Sequence, residues 1–151
     1  MSDIKNIYEI RTFKESDRAF ILATFLRGLY YGNEFFNLIP KHIFMQNYKR
    51  VAEALVNSPK NIIQVACLKE DADTILGYSI LSSDFMTVHW VYVKSSETKI
   101  AGEEEKLTWR RKGIGKSLLP QFPAYYTHFS TSGLEIAKKF PQCVFNPFEV
   151  G

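Results

Sequence analysis

The chain has 151 residues, 46% hydrophobic and 23% charged, which bounds it to one globular domain over 1–151 with a real core. A net charge of +3 does not by itself argue for a nucleic-acid binder, and Cys67 and Cys143 form neither a metal-binding spacing nor a disulfide framework, so both are expected as reduced, buried thiols. Met1–Asn6 lacks an apolar signal core and no run approaches a membrane span, so a cytoplasmic location and no metal site are expected.

In chain order, Ile7–Phe13 reads as a strand and Glu15-Ser16-Asp17 as a helix cap. A helix runs from there to about Tyr31 with Gly32 as its stop; Phe20, Ile21, Leu22, Phe25 and Leu29 make it apolar nearly all round, hence buried. Pro40 opens a second helix ending before Pro59, with Phe44, Tyr48, Val51 and Leu55 as its stripe. Asn61–Leu68 and Thr74–Leu81 read as an antiparallel hairpin around the polar turn Lys69–Asp73, and Phe85–Val93 as the next strand, β-branched and aromatic. On simple alternation, Val88, Trp90 and Tyr92 face one way, and His89 and Val91 the other. A polar stretch over 96–109 reads as a mobile loop. A helix to about Leu119, a strand at Ala124–Phe129, a helix at Thr131–Phe140 and a last strand at Cys143–Val150, interrupted by Pro147, complete the order β-α-α-β-β-β-α-β-α-β, an α/β mixed sheet.

The segment from Trp109 to Leu119 joins basic residues to two closely spaced glycines at the mouth of a helix. Free backbone N–H groups and the positive helix end suit a phosphate group there. Spacing separates three glycine patterns. A P-loop would need a glycine where Arg110 stands, and a dinucleotide fingerprint a third glycine where Leu118 stands, with Glu135 its only distant acid. Arg110-x-x-Gly113-x-Gly115, following a strand that ends in Val93, resembles the coenzyme A pyrophosphate loop of the GNAT superfamily of N-acetyltransferases. The predicted element order matches that superfamily over nearly the whole chain, although the link over 96–109 is longer than usual.

The resemblance implies the GNAT-like acyl-CoA N-acyltransferase fold and direct transfer from acetyl-CoA to a primary amine, either a protein lysine or N-terminus or a small amine. It places the backbone of Val91, Tyr92 and Val93 on the pantetheine arm. It places the pyrophosphate on Lys112, Gly113, Ile114, Gly115, Lys116 and Ser117, with Arg110 and Arg111 beside it. His89, on that strand, is the leading general base and His128 the second candidate, because an imidazole titrates near neutral pH; His42 reads as structural. Phe140 stands where the family often places a proton-donating Tyr, so a hydroxyl from Tyr126, Ser130, Thr131 or Ser132 substitutes, solvent supplies the proton, or turnover is poor. The aromatic run Tyr30–Phe36 resembles the family's substrate wall, though core packing is the commoner explanation for any one of these residues. Trp109 reads as a stacking partner for adenine or as a loop anchor, and Glu103-Glu104-Glu105 as a solvated run that would also attract a cationic amine.

Two rivals stand beside this reading. One is a non-catalytic acyl-CoA-binding protein, favoured by Phe140. The other is a nucleic-acid-binding module using Arg110, Arg111, Lys112 and Lys116. Homodimers are common in the superfamily; no residue in this sequence marks a contact surface.

Overall fold

The computed structural model describes residues 7–94, 98–99, 106–107, 113–128, 138 and 140–150. Strand β1 (Tyr8–Thr12) leads through a short 3-10 turn, Glu15–Asp17, into helix α1 (Arg18–Gly32). Asp17 does not cap α1 forward. Its carboxylate turns back to accept the Lys14 N–H at 2.8 Å and both terminal nitrogens of Arg11 at 2.8 and 2.9 Å. Arg11 in turn donates to the Ala72 carbonyl, so one buried carboxylate links β1 and the start of α1 to the turn after β2. Arg11 holds the Asp17 carboxyl below its usual pKa.

Helix α1 ends where Asn33 turns extended; the Asn33 side-chain oxygen accepts the N–H groups of Phe35 and Phe36 and opens a second 3-10 turn, Phe36–Leu38. Pro40 then precedes α2 (Lys41–Asn57), where its fixed φ and missing donor cost nothing. Three strands follow, β2 (Asn61–Leu68), β3 (Ile75–Ser82) and β4 (Thr87–Val93), and then a small separate hairpin of β5 (Thr98–Lys99) with β6 (Lys106–Leu107), which lies inside the stretch expected to be a mobile loop. Helix α3 (Ile114–Leu118) has 5 residues, little more than one turn, and stops before Pro120. Strands β7 (Tyr125–Tyr126) and β8 (Val144–Phe145) are each two residues, shorter than the sequence implies, and Pro147–Val150 forms a 3-10 turn instead of continuing the last strand. Most of the expected helix over 131–140 lies outside the described residues.

The main sheet has the order β1-β2-β3-β4-β7-β8, antiparallel through β4 and parallel from β4 to β8. It is the mixed α/β sheet expected from the sequence. Ile21, Phe25 and Leu29 of α1 and Phe44, Ala52 and Leu55 of α2 pack on one face, against Val65, Tyr78, Ile80 and Trp90. Ile114 and Leu118 of α3 pack on the other, against Ala66, Leu76, Val88 and Val91. Tyr78 fixes the first layer: its hydroxyl lies 2.7 Å from Thr24 Oγ1 and donates to the Ile21 carbonyl at 3.0 Å.

Gly77 sets how closely β3, β4 and α3 approach. A Cβ there would lie 2.5 Å from the Tyr92 carbonyl oxygen and 3.3 Å from Leu118 Cδ1. Gly77→Ala must therefore move backbone, and we expect a loss of about 1–3 kcal/mol in urea unfolding.

Candidate functional site

The site forms where β4 loses its regular partners. Along β3, Ile80 pairs with Trp90 but Leu81 pairs with Val88, so His89 is an extra residue in β4, a β-bulge. The bulge changes the expected alternation. Val88 and Val91 pack in the α3 layer, while Trp90 packs in the α1–α2 layer with Tyr92 beside it. His89 lines a groove beneath α2, so it lies on the Trp90 face and not, as simple alternation implies, on the Val91 face.

On its other edge β4 pairs with β7 only at Thr87 and Val88, among the described residues. Thr127 N–H still donates to the Val88 carbonyl at 3.2 Å. The next carbonyl, that of His89, is taken by the side chain of His128, whose Nδ1 lies 3.1 Å away. An imidazole thus engages the carbonyl that follows the last main-chain rung between the two strands among the described residues. Lys94 N–H donates to the Leu76 carbonyl at 2.7 Å, and the antiparallel ladder alternates from that point. The N–H groups of Val91 and Val93 are consequently turned to the β7-side edge.

Four side chains form a chain at the bulge. The Asn61 amide donates to the Leu55 carbonyl at 2.9 Å, which directs its oxygen at His89 Nε2, 3.1 Å away. Nε2 must therefore carry the proton, and Nδ1 accepts from the Thr127 hydroxyl at 3.1 Å. His128 Nδ1 faces the His89 carbonyl, an acceptor only, so it carries a proton and also approaches Thr127 Oγ1 at 2.8 Å. Both imidazoles are buried, with His89 3% and His128 7% exposed. Burial lowers each pKa to about 4; for His128 the neighbouring His89 adds to the shift, and donation to the His89 carbonyl opposes it. Both rings are neutral at pH 7, and both nitrogens of His89 are occupied. His128 also meets Phe25 and Tyr48 edge-on, and burial pushes the Tyr48 hydroxyl up to about 12.

Gly113 begins α3 with φ 89°, a left-handed conformation that suits a residue without a Cβ. Ser117 N–H and Oγ both return to the Gly113 carbonyl, at 2.9 and 2.8 Å, and Tyr8 on β1 holds Ser117 Oγ at 2.9 Å. The N–H groups of Ile114, Gly115 and Lys116 precede the first intrahelical bond, from Ser117 to Gly113, and have no backbone partner among the described residues. A Cβ on Gly115 would lie 3.5 Å from Val93 Cγ2, so the glycine turn sits against the end of β4.

No protein-family model matches the chain, and no curated protein matches it by sequence. In fold it is similar to two solved structures. One is a possible acetyltransferase from Clostridium difficile 630, with TM-score 0.47 and 14% identity over 93% of this chain and 79% of the other. The other is a GNAT family acetyltransferase from Staphylococcus aureus, with TM-score 0.39 and 16% identity over 93% of this chain and 86% of the other. Likeness at this level does not bear on activity.

The glycine turn of Gly113–Ser117 lies against Val93 at the end of β4, and His89 lies four residues earlier on that strand, on the α1–α2 face. Tyr126 does not join them: its side chain packs in the α3 layer beside Phe145 and near Cys143, on the opposite face from His89. Phe140 also packs against that layer. Ser132, Arg110, Arg111 and Lys112 lie outside the described residues, as do Trp109, Glu103–Glu105, Ser130 and Thr131. Tyr31 and Phe35 are exposed, whereas Tyr30 is buried and donates to the Ile39 carbonyl at 2.7 Å, so the aromatic run divides between surface and core. Thr127 and Asn61 were not foreseen. Each reaches His89 across 38 and 28 positions of sequence, and no local pattern marks them. Among the described residues no group of three or more His, Cys, Asp or Glu could hold a metal ion, and no helix is long and apolar enough to cross a membrane.

Proposed function

We propose that the protein is an N-acetyltransferase of the GNAT type, with acetyl-CoA as donor and a primary amine as acceptor. The observation that carries this reading is the β7-side edge of β4 at Val91 and Val93, beyond the last strand pair among the described residues and ending against the glycine turn at Gly113–Gly115. That edge offers the N–H groups of Val91 and Val93 to an extended amide-bearing arm, and the turn offers those of Ile114, Gly115 and Lys116 to phosphate oxygens. Arg110, Arg111 and Lys112 would add charge-assisted contacts. The bulge at His89 sets the depth at which the arm ends.

The thioester supplies an activated acetyl group. The neutral amine nitrogen forms a bond to the acetyl carbon, the carbon–sulfur bond breaks, and sulfur leaves with the electron pair as coenzyme A thiolate. The nitrogen loses one proton, which ends on the departing sulfur or in solvent. The Val91 N–H is the nearest preorganised donor for the developing oxyanion. His89 at a pKa of about 4 is a weak base for an ammonium group, and its Nδ1 is reached only through the Thr127 hydroxyl. A proton leaving the amine would thus pass along Thr127 to His89, or the amine would enter already neutral.

The occupied nitrogens of His89 favour a second reading, a coenzyme A-binding protein without turnover. Release of free thiol from acetyl-CoA in the presence of an amine panel separates the two. Acetylation of any amine, lost in Thr127→Val, supports the enzyme. Acetyl-CoA binding without thiol release supports the binder. Either activity would take place in water-soluble protein, and a cytoplasmic setting is part of the proposal.

A further inference from the structure

The groove beneath α2 opens onto His89 and Asn61 and has a volume of about 720 Å³, within the range of small-molecule sites. Its charged groups are not equivalent. Asp84 is engaged by its own turn, accepting the Ser82 hydroxyl at 2.6 Å and the Met86 N–H at 2.9 Å. Glu149 faces the Asn146 amide at 3.5 Å. The side chains of Arg50 and Lys60 line the same groove, and neither has an ion pair or hydrogen bond among the described residues. The groove therefore offers two uncommitted cations and two carboxylates already held by neighbours.

We infer that the acceptor is a small amine that also carries an anionic group, a carboxylate or a phosphate, held by Arg50 and Lys60 while its nitrogen lies toward His89. The inference rests on the acetyltransferase reading. The groove is balanced in formal charge by Asp84 and Glu149, but its two cations lack an ion pair among the described residues and can hold a ligand's negative end a few bonds from its amine. The transfer balances as above: the neutral nitrogen gains the acetyl carbon and loses one proton, and coenzyme A leaves as the thiol with a proton in exchange.

The test is an acceptor series with acetyl-CoA: glutamate and phosphoethanolamine as the two anionic arms, spermidine and a lysine-containing peptide as the cationic ones. We expect an anionic amine to give the highest kcat/KM, the better arm naming carboxylate or phosphate. Arg50→Ala and Lys60→Ala should each raise its KM about tenfold with kcat little changed. Both side chains are exposed, so these variants should fold. Spermidine or the peptide as the best acceptor overturns the inference, as does an unchanged KM in both variants. If acetyl-CoA fails to bind at all, the underlying acetyltransferase reading fails instead; if it binds and only the cationic acceptors react, that reading stands and this inference alone falls.

Discussion

Lowering the pH from 6.5 to 4 will destabilise the fold by on the order of 3 kcal/mol for each of His89 and His128. The cause is burial. Each ring is neutral in the folded protein down to a pKa of about 4, whereas in the unfolded chain it binds a proton near 6.5. Between those values the unfolded state holds more protons, so stability is full above pH 6.5 and falls as pH drops toward 4. The slope should approach about 1.4 kcal/mol per pH unit for each ring. Urea unfolding at unit pH steps measures it. His128→Gln should reduce the slope by about one proton's worth, after allowance for its lower baseline. A flat profile through this window would show that the imidazoles are solvated and that the chain Asn61–His89–Thr127–His128 is not formed.

Asp17→Ala should cost about 3 kcal/mol, more than any other single removal of a polar group described here. The Asp17 carboxylate is 2% exposed and accepts from two Arg11 nitrogens and the Lys14 N–H. Removing it leaves that N–H unpaired and a guanidinium, itself mostly covered, with only the carbonyls of Thr12 and Ala72. Asp17→Asn should cost less, because the amide oxygen can still accept one of these bonds. Urea unfolding of the two variants checks the order. Equal losses would mean the charge, and not the hydrogen bonds, carries the effect.

Much of the fold was legible because its signals are local. Strand β2 falls at Asn61–Leu68 as its composition implies, bounded by Pro59 and the polar turn after it, and both long helices begin and end near their predicted caps and breakers. What escaped the sequence depends on distant partners. The bulge in β4 arises from its register against Ile80 and Leu81, so alternation put His89 on the wrong face. Phe85, expected in the strand, instead occupies the preceding turn at φ 62°, where Asp84 and Ser82 hold the backbone. In the site, the glycine turn and His89 could be seen because a short motif and a chemically distinctive residue announce them. Thr127 and Asn61 could not, since an ordinary Thr and Asn acquire meaning only when the sheet sets them beside an imidazole. The same sheet separates Tyr126 from His89, a division of faces that strand prediction at Ala124–Phe129 does not reveal.

The most direct measurement is a calorimetric titration of acetyl-CoA into the protein and into Gly115→Val, with ATP as the control ligand. A valine at that position would crowd Val93 and the helix start, where the phosphate oxygens are placed. The account predicts saturable acetyl-CoA binding by the native protein, weakened at least about tenfold in Gly115→Val, and no comparable binding of ATP. Absence of acetyl-CoA binding by the native protein, or equal affinity in the variant, would contradict it.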